Sequence, residues 1–234
     1  MNIKERIITK IKKNKISTTE IADVLGKTGH VPGILPLNAG MHKVGEVKFV
    51  YAYNKSNWEV HEQLKEISPR KIAYVHGIDC EDKAIFGDLV SKYLMLYKES
   101  EAIVVNGLMR DAHTLVKEKY PVWCTGVSPI GCNNIKNKTL PSEELLNELR
   151  LKFDGGIMIC DDSGVVLIEQ NQISEELIRK LDFIELQEDI WFFCMDTHKM
   201  NTYEIVCEKK YFDSGKKLVS QEKLKELSAF STEK

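Results

Sequence analysis

Arg110 and Asp111 stand side by side at the end of the apolar run Ile103-Val104-Val105-Asn106-Gly107-Leu108-Met109. An arginine presents a rigid fork of donors that matches a carboxylate bidentately and keeps its charge at any physiological pH. An aspartate offers a hard oxygen ligand for Mg²⁺ or Mn²⁺, and Mg²⁺ commonly takes only one or two protein carboxylates, leaving water and substrate to complete its shell. A 2-oxo acid suits such a pair. Its carboxylate and keto oxygens can chelate the metal while the guanidinium grips the carboxylate, and the metal serves as Lewis acid for an enolate developing at the keto oxygen.

Gly87-Asp88-Leu89 is the second element of the candidate site. If it opens a helix, its backbone N–H groups favour an anion, and Asp88 can orient a metal-bound water. On residue type, Arg110 and Asp88 are therefore the candidate catalytic groups. Arg110, Gly87, Asp88 and Leu89 are the candidate substrate contacts, and Asp111 is the candidate metal ligand. Each piece has a plainer alternative: adjacent Arg-Asp pairs are often surface ion pairs of small consequence, and a glycine before a helix is often only backbone geometry. His76 and His113 are weaker candidates, because the six histidines show no zinc-type spacing. The glycines of residues 29–40 lack the Gly-x-Gly-x-x-Gly order of a dinucleotide site.

These residues need a scaffold to hold them. Ser17-Thr18-Thr19-Glu20 is a capping box, which starts a short helix running to about Gly26. Residues 29–41 carry three glycines and two prolines and read as loop. Segments 47–53, 71–77, 101–106 and 122–125 read as strands. In segment 83–98, Phe86, Leu89, Val90, Tyr93, Leu94 and Tyr97 recur at helical spacing. Ser142 caps another helix, residues 156–160 and 165–169 form a hairpin around Asp161-Asp162-Ser163-Gly164, and 173–187 is helical by period. The last 25 or so residues read as a peripheral helix plus a loose end. Alternating strands and helices make an α/β domain.

Bulk composition narrows the partners. Thirty-three Lys+Arg against 35 Asp+Glu give a net charge of −2, with the two signs interspersed, so no basic field points to direct nucleic-acid binding. No apolar run is long enough for a membrane span, and the charged N-terminus has no signal-peptide core, so a cytoplasmic protein is expected. The six cysteines form no Cys-x-x-Cys pair and read as structural thiols.

Taken in order, several segments resemble RraA-like proteins, which include class II pyruvate aldolases and the regulator of ribonuclease activity. The resemblance covers roughly residues 16–190. It runs through Ile16-Ser17-Thr18-Thr19-Glu20-Ile21, Gly33-Ile34-Leu35-Pro36, Tyr74-Val75-His76-Gly77 and Ala84-Ile85-Phe86-Gly87-Asp88-Leu89. It continues through Val104-Val105-Asn106-Gly107-Leu108-Met109-Arg110-Asp111, Tyr120-Pro121-Val122-Trp123 and Asp161-Asp162-Ser163-Gly164-Val165-Val166. The resemblance implies a swivelling β/β/α three-layer domain over residues 1–190, a C-terminal extension over 191–234, and a homotrimer or hexamer with sites between subunits. It also implies that Arg110 binds a substrate carboxylate, Asp111 holds the metal, and Gly87, Asp88 and Leu89 form an anion-binding loop. The implied reaction is aldol cleavage or oxaloacetate-type decarboxylation of a small 2-oxo acid through a pyruvate enolate. The regulator branch implies instead a non-catalytic ring that binds a protein such as a ribonuclease. The sequence departs from the aldolase pattern at Thr114, where the signature carries an acidic residue, and by about one extra residue near Lys98-Glu99-Ser100-Glu101.

Overall fold

The computed structural model describes residues 1–213 and 219–231. Chain contacts divide it into two compact units, residues 1–173 and 174–234. In chain order the first contains α1 (Ile3–Asn14), α2 (Thr18–Val24), β1 (Leu35–Pro36), β2 (Lys43–Tyr53), α3 (Trp58–Gln63), β3 (Lys71–Ile78) and β4 (Ala84–Phe86). It continues with α4 (Asp88–Leu96), β5 (Ala102–Met109), α5 (Ala112–Lys117), β6 (Val122–Val127), α6 (Glu143–Phe153), β7 (Ile157–Asp161) and β8 (Gly164–Ile168).

All eight strands share one mixed sheet of order β1-β6-β5-β3-β2-β7-β8, with β4 paired to the end of β5. Strands β2, β3, β5 and β6 are mutually parallel, and β7 and β8 extend the sheet as an antiparallel hairpin. Residues 29–37 link the two margins: Leu167 N–H donates to Gly29 O and Val31 N–H to Val165 O, while Leu37 N–H donates to Val122 O. The sheet thereby wraps nearly into a barrel.

Side chains alternate across the parallel strands, as the pleat requires. Phe49, Tyr74, Val104 and Trp123 face one core with Met158, Val165 and Leu167 of the hairpin. Val50, Val75, Ile103 and Cys124 face the other, where Val60, Val90, Leu94 and Leu115 of α3, α4 and α5 cover them. Helices on one face and folded-over strands on the other give the expected α/β layering.

Several local expectations hold. Ser17 and Glu20 form the reciprocal capping box, Ser142 caps α6, and Cys80, Cys124, Cys160 and Cys194 are buried thiols, whereas Cys207 is exposed. The helix expected over 83–98 is corrected. Ala84–Phe86 is a buried strand instead, tied by Ala84 N–H to Ile130 O and by Cys132 N–H to Ala84 O. Backbone pairing outweighs the helical period there, so α4 begins only at Asp88. Of its apolar residues, Val90 and Leu94 are buried, whereas Leu89 and Tyr97 are exposed. The amphipathic α1, closed by an Asn2–Glu5 capping box, was not anticipated.

The second unit consists of α7 (Glu175–His198), a π-helical turn at Tyr203–Cys207, a short 3₁₀ turn and α8 (Gln221–Ser231). Ile190, Cys194, Ile205, Tyr211, Val219 and Leu227 form its core, and Trp191 Nε1 donates to the Tyr211 hydroxyl at 3.4 Å. Position 190 thus falls inside α7, a helix longer than the 173–187 expected. The peripheral helix expected near the end corresponds to α8, while the loose end falls on residues 232–234, outside the described residues.

Candidate active site

The site follows from one strand pairing. In register, Phe86 at the end of β4 lies opposite Met109 at the end of β5, and Arg110 N–H donates to Phe86 O at 3.0 Å. The residues that leave these two strand ends, Gly87-Asp88 and Arg110-Asp111, must therefore abut. This is the carboxyl end of parallel strands, where α/β folds commonly place their sites.

Asp111 adopts a left-handed backbone (φ 58°) at the start of α5, and its side chain does not cap that helix. It turns back instead, where Oδ2 accepts from Asp88 N–H at 3.2 Å and from Arg110 Nε at 3.3 Å. Burial alone would push the Asp111 carboxyl up, but the Asp88 N–H and the Arg110 charge outweigh it and hold the group below the ordinary carboxylate range. The Asp88 side chain also approaches Asp111, so two carboxylates share this corner.

Gly87 is required by this approach. A Cβ there would lie 2.0 Å from Asp111 Oδ2 and 2.7 Å from Arg110 Cγ. Gly131 plays the same part on the far side, where a Cβ would lie 2.9 Å from Arg110 Nη1. Both glycines make room for the Arg-Asp pair.

The loop amides are used differently from the simple expectation. Asp88 N–H is spent on Asp111, and Leu89 N–H donates to Asp88 Oδ1 at 2.7 Å. The helix start thus orients carboxylates, and Leu89 itself projects outward, 77% exposed.

A cavity of about 140 Å³ opens over these groups, lined by Gly87, Asp88, Leu89, Arg110 and Asp111 together with Asn57, His61, Gly131, Cys132 and Asn134. That is less than half the lower bound of about 300 Å³ for a drug-sized ligand pocket, so it suits a small acid better than a nucleotide. Asn57 is buried, its Nδ2 donates to Ile85 O at 2.8 Å, and its Oδ1 has no hydrogen-bond partner among the described residues. An acceptor buried without a donor is costly, so it is suited to a donor on a ligand. Asn57, His61 and Cys132 were missed from sequence. Asn57 and His61 sit one helical turn apart but far in the chain from Cys132 and from the Gly87 and Arg110 segments, and they carry no motif; only the position of Asn57 just before a helix offered a weak signal.

The remaining candidates lie elsewhere. His76 is mostly buried beside Tyr74, whose hydroxyl is 3.0 Å from His76 Nδ1, and burial first and the Lys152 charge second push its pKa down. His113 is exposed, and Thr114 occupies the third position of α5; neither lines the cavity. Asp161 accepts from Thr18 N–H and Oγ1, both at 2.7 Å, and from Ser163 N–H. It is a turn and tethering residue, as its sequence context indicates.

The donor set bears on the metal question. Among the described residues no cluster of three or more His, Cys, Asp or Glu could form a complete protein cage. Two neighbouring carboxylates at a small open cavity fit a hard cation that retains water, in the manner of Mg²⁺ or Mn²⁺. Among the described residues no helix is long and apolar enough to cross a membrane.

Comparison with known proteins agrees with this architecture. Residues 18–167 match the RraA-like family, described as Aldolase/RraA. Protein DlpA of Legionella pneumophila is 26% identical over 190 residues, covering 74% of this chain but only 29% of DlpA. The chain thus spans less than a third of that relative. An uncharacterized protein from Pseudomonas syringae pv. tomato superposes with a TM-score of 0.64 at 20% identity, over 86% of this chain and 96% of its own. RraAS2 of Streptomyces coelicolor, an unusual member of the RNase ES inhibitor RraA protein family, gives 0.61 at 19% identity, over 79% and 96%. At these identities the two structures speak for the fold alone.

Proposed function

Because the chain belongs to the RraA-like family, which spans aldolases and RraA, we propose that it is a divalent-metal-dependent lyase acting on a small 2-oxo acid. The observation that carries this reading is the convergence of Arg110, Asp111 and Asp88 on one small cavity, with Gly87 and Gly131 leaving room for them. Asp111 and Asp88 would hold Mg²⁺ or Mn²⁺, partly through water. The cation would supply Lewis-acid polarisation of a keto oxygen.

The chain's own residues account for the rest. Arg110, half-exposed at the cavity, presents its guanidinium to the substrate carboxylate while its Nε stays on Asp111. That contact aligns the bond to be broken, C–C in aldol cleavage or C–CO₂⁻ in decarboxylation, with the keto group, and a pyruvate enolate results. Asp88, fixed by its bond from Leu89 N–H, is placed to hold or move a proton of a nearby water. We place the site between neighbouring copies of a homotrimer or hexamer, which would enclose the open side of the cavity.

The test is pyruvate release from oxaloacetate with Mg²⁺ or Mn²⁺, comparing the wild type with Arg110→Ala, Asp111→Ala and an EDTA control. Metal-dependent turnover lost in both variants is expected. Turnover no faster than free metal, or wild-type rates in Asp111→Ala, would overturn the reading.

A second reading has its own support. Thr114 stands where the aldolase signature is acidic, and the unit over 174–234 lies beyond the matched region. Both suit a ring that binds a protein partner, such as a ribonuclease, without turnover. It predicts partner capture that survives metal removal.

A further inference from the structure

We propose that Cys80 and Cys132 form a reversible disulfide that repositions Arg110 and so places the site under redox control. Cys80 is buried in the helix-covered core, and Cys132 packs against that core while also lining the cavity. The turn from Cys80 to Lys83 and the pairing of Cys132 with Ala84 bring the two thiols side by side, so that each bears on the other's ionisation. The Cys80 thiol donates to Ile78 O at 3.5 Å, which leaves its sulfur lone pairs free of that bond.

The backbone around the pair is tied on both sides. Lys83 N–H donates to Cys80 O, Cys132 N–H to Ala84 O, and Ala84 N–H to Ile130 O, at 2.8 to 3.0 Å. The chain between the two cysteines carries Gly87, Asp88, Arg110 and Asp111, so a bridge would close a loop that holds the Arg-Asp pair and its glycine.

The chemistry suits the order of events. The neighbouring Cys132 thiol holds the Cys80 thiol below its ordinary range, while Cys80 pushes the Cys132 thiol up. Cys80 therefore ionises first. Its thiolate attacks one oxygen of hydrogen peroxide arriving past Cys132. The O–O bond breaks, hydroxide leaves and takes up a proton as water, and Cys80 becomes a sulfenic acid. Cys132 then attacks that sulfur, the S–S bond forms, and the departing hydroxide takes the Cys132 proton as a second water. The two thiols lose two electrons in total, which the peroxide accepts.

Bridging shortens a thiol contact to an S–S bond of about 2.05 Å, drawing Cys132 towards Cys80. Gly131 moves with it, and Gly131 is the backbone against which the Arg110 guanidinium lies. The inference rests on the reading of Arg110 as a site residue, yet its test needs no lyase turnover.

The full chain would be treated with hydrogen peroxide, alkylated, digested and mapped by mass spectrometry. Phenylglyoxal labelling of Arg110 would be followed in parallel, with Arg150 as internal reference. The expected result is a Cys80–Cys132 cross-linked peptide, reversed by dithiothreitol, with a severalfold change in Arg110 labelling that Cys80→Ser and Cys132→Ser both abolish. Separate over-oxidation of the two sulfurs, as at the exposed Cys207, would overturn the pairing. A cross-link that leaves Arg110 labelling unchanged would overturn the control of the site.

Discussion

Gly87→Ala tests the site geometry with a single methyl group. Gly87 has φ −142°, a negative value, so no left-handed backbone opposes the substitution. The obstacle is the space taken by Asp111. The new Cβ would lie 2.0 Å from Asp111 Oδ2, where ordinary contact begins at 3.4 Å, so the carboxylate must retreat by about 1.4 Å. That retreat lengthens bonds from Asp88 N–H and Arg110 Nε that already stand at 3.2 and 3.3 Å, and both are lost. A displacement near 1 Å typically costs about 10²-fold in rate, or about 2.7 kcal/mol of barrier. Overpacking should also lower stability by about 1–3 kcal/mol, a fall in Tm of several degrees that leaves the fold intact. The assay is kcat/KM for oxaloacetate decarboxylation beside a thermal melt. Gly131→Ala is the control, because its Cβ meets the movable end of Arg110 at 2.9 Å and should cost less than about tenfold. A folded Gly87→Ala protein with wild-type kcat/KM would refute the argument that Asp111 must sit against Gly87.

Two further outcomes follow from neighbouring contacts. The Asp111 carboxyl is depressed, so its stabilising contribution is complete above the unfolded value of about 3.9 and is lost as pH falls through the lower folded value. Asp111→Asn should therefore flatten the acid side of the Tm-against-pH curve, and an unchanged acid limb would count against the assigned hydrogen bonds. Asn57→Leu removes the side-chain amide that donates to Ile85 O, and losing this buried bond should cost about 1–3 kcal/mol. Urea unfolding should show a lower midpoint with the same slope; an unaltered midpoint would mean that the Asn57–Ile85 bond contributes nothing.

Much of the fold was legible because the signals were local. The Ser17–Glu20 box, the Ser142 cap, the hairpin around Asp161-Asp162-Ser163-Gly164 and the four strand segments near 47–53, 71–77, 101–106 and 122–125 all depend on near neighbours in the chain. Segment 84–86 misled because three apolar residues ahead of a helix satisfy its period as well as they satisfy a strand. Only pairing with β5 and the backbone of Ile130 and Cys132 decided between the two. The same limit applies to the site. Residue chemistry alone singled out Arg110, Asp111 and Gly87-Asp88-Leu89 as an anion and metal constellation. That Asp111 turns away from its own helix to Gly87, that Leu89 points outward, and that Asn57, Gly131 and Cys132 complete the cavity were decided by tertiary structure. Caps, turns and strand alternation are short-range properties written into consecutive residues. A cavity is made by chain segments that meet only after the sheet has set its strand order.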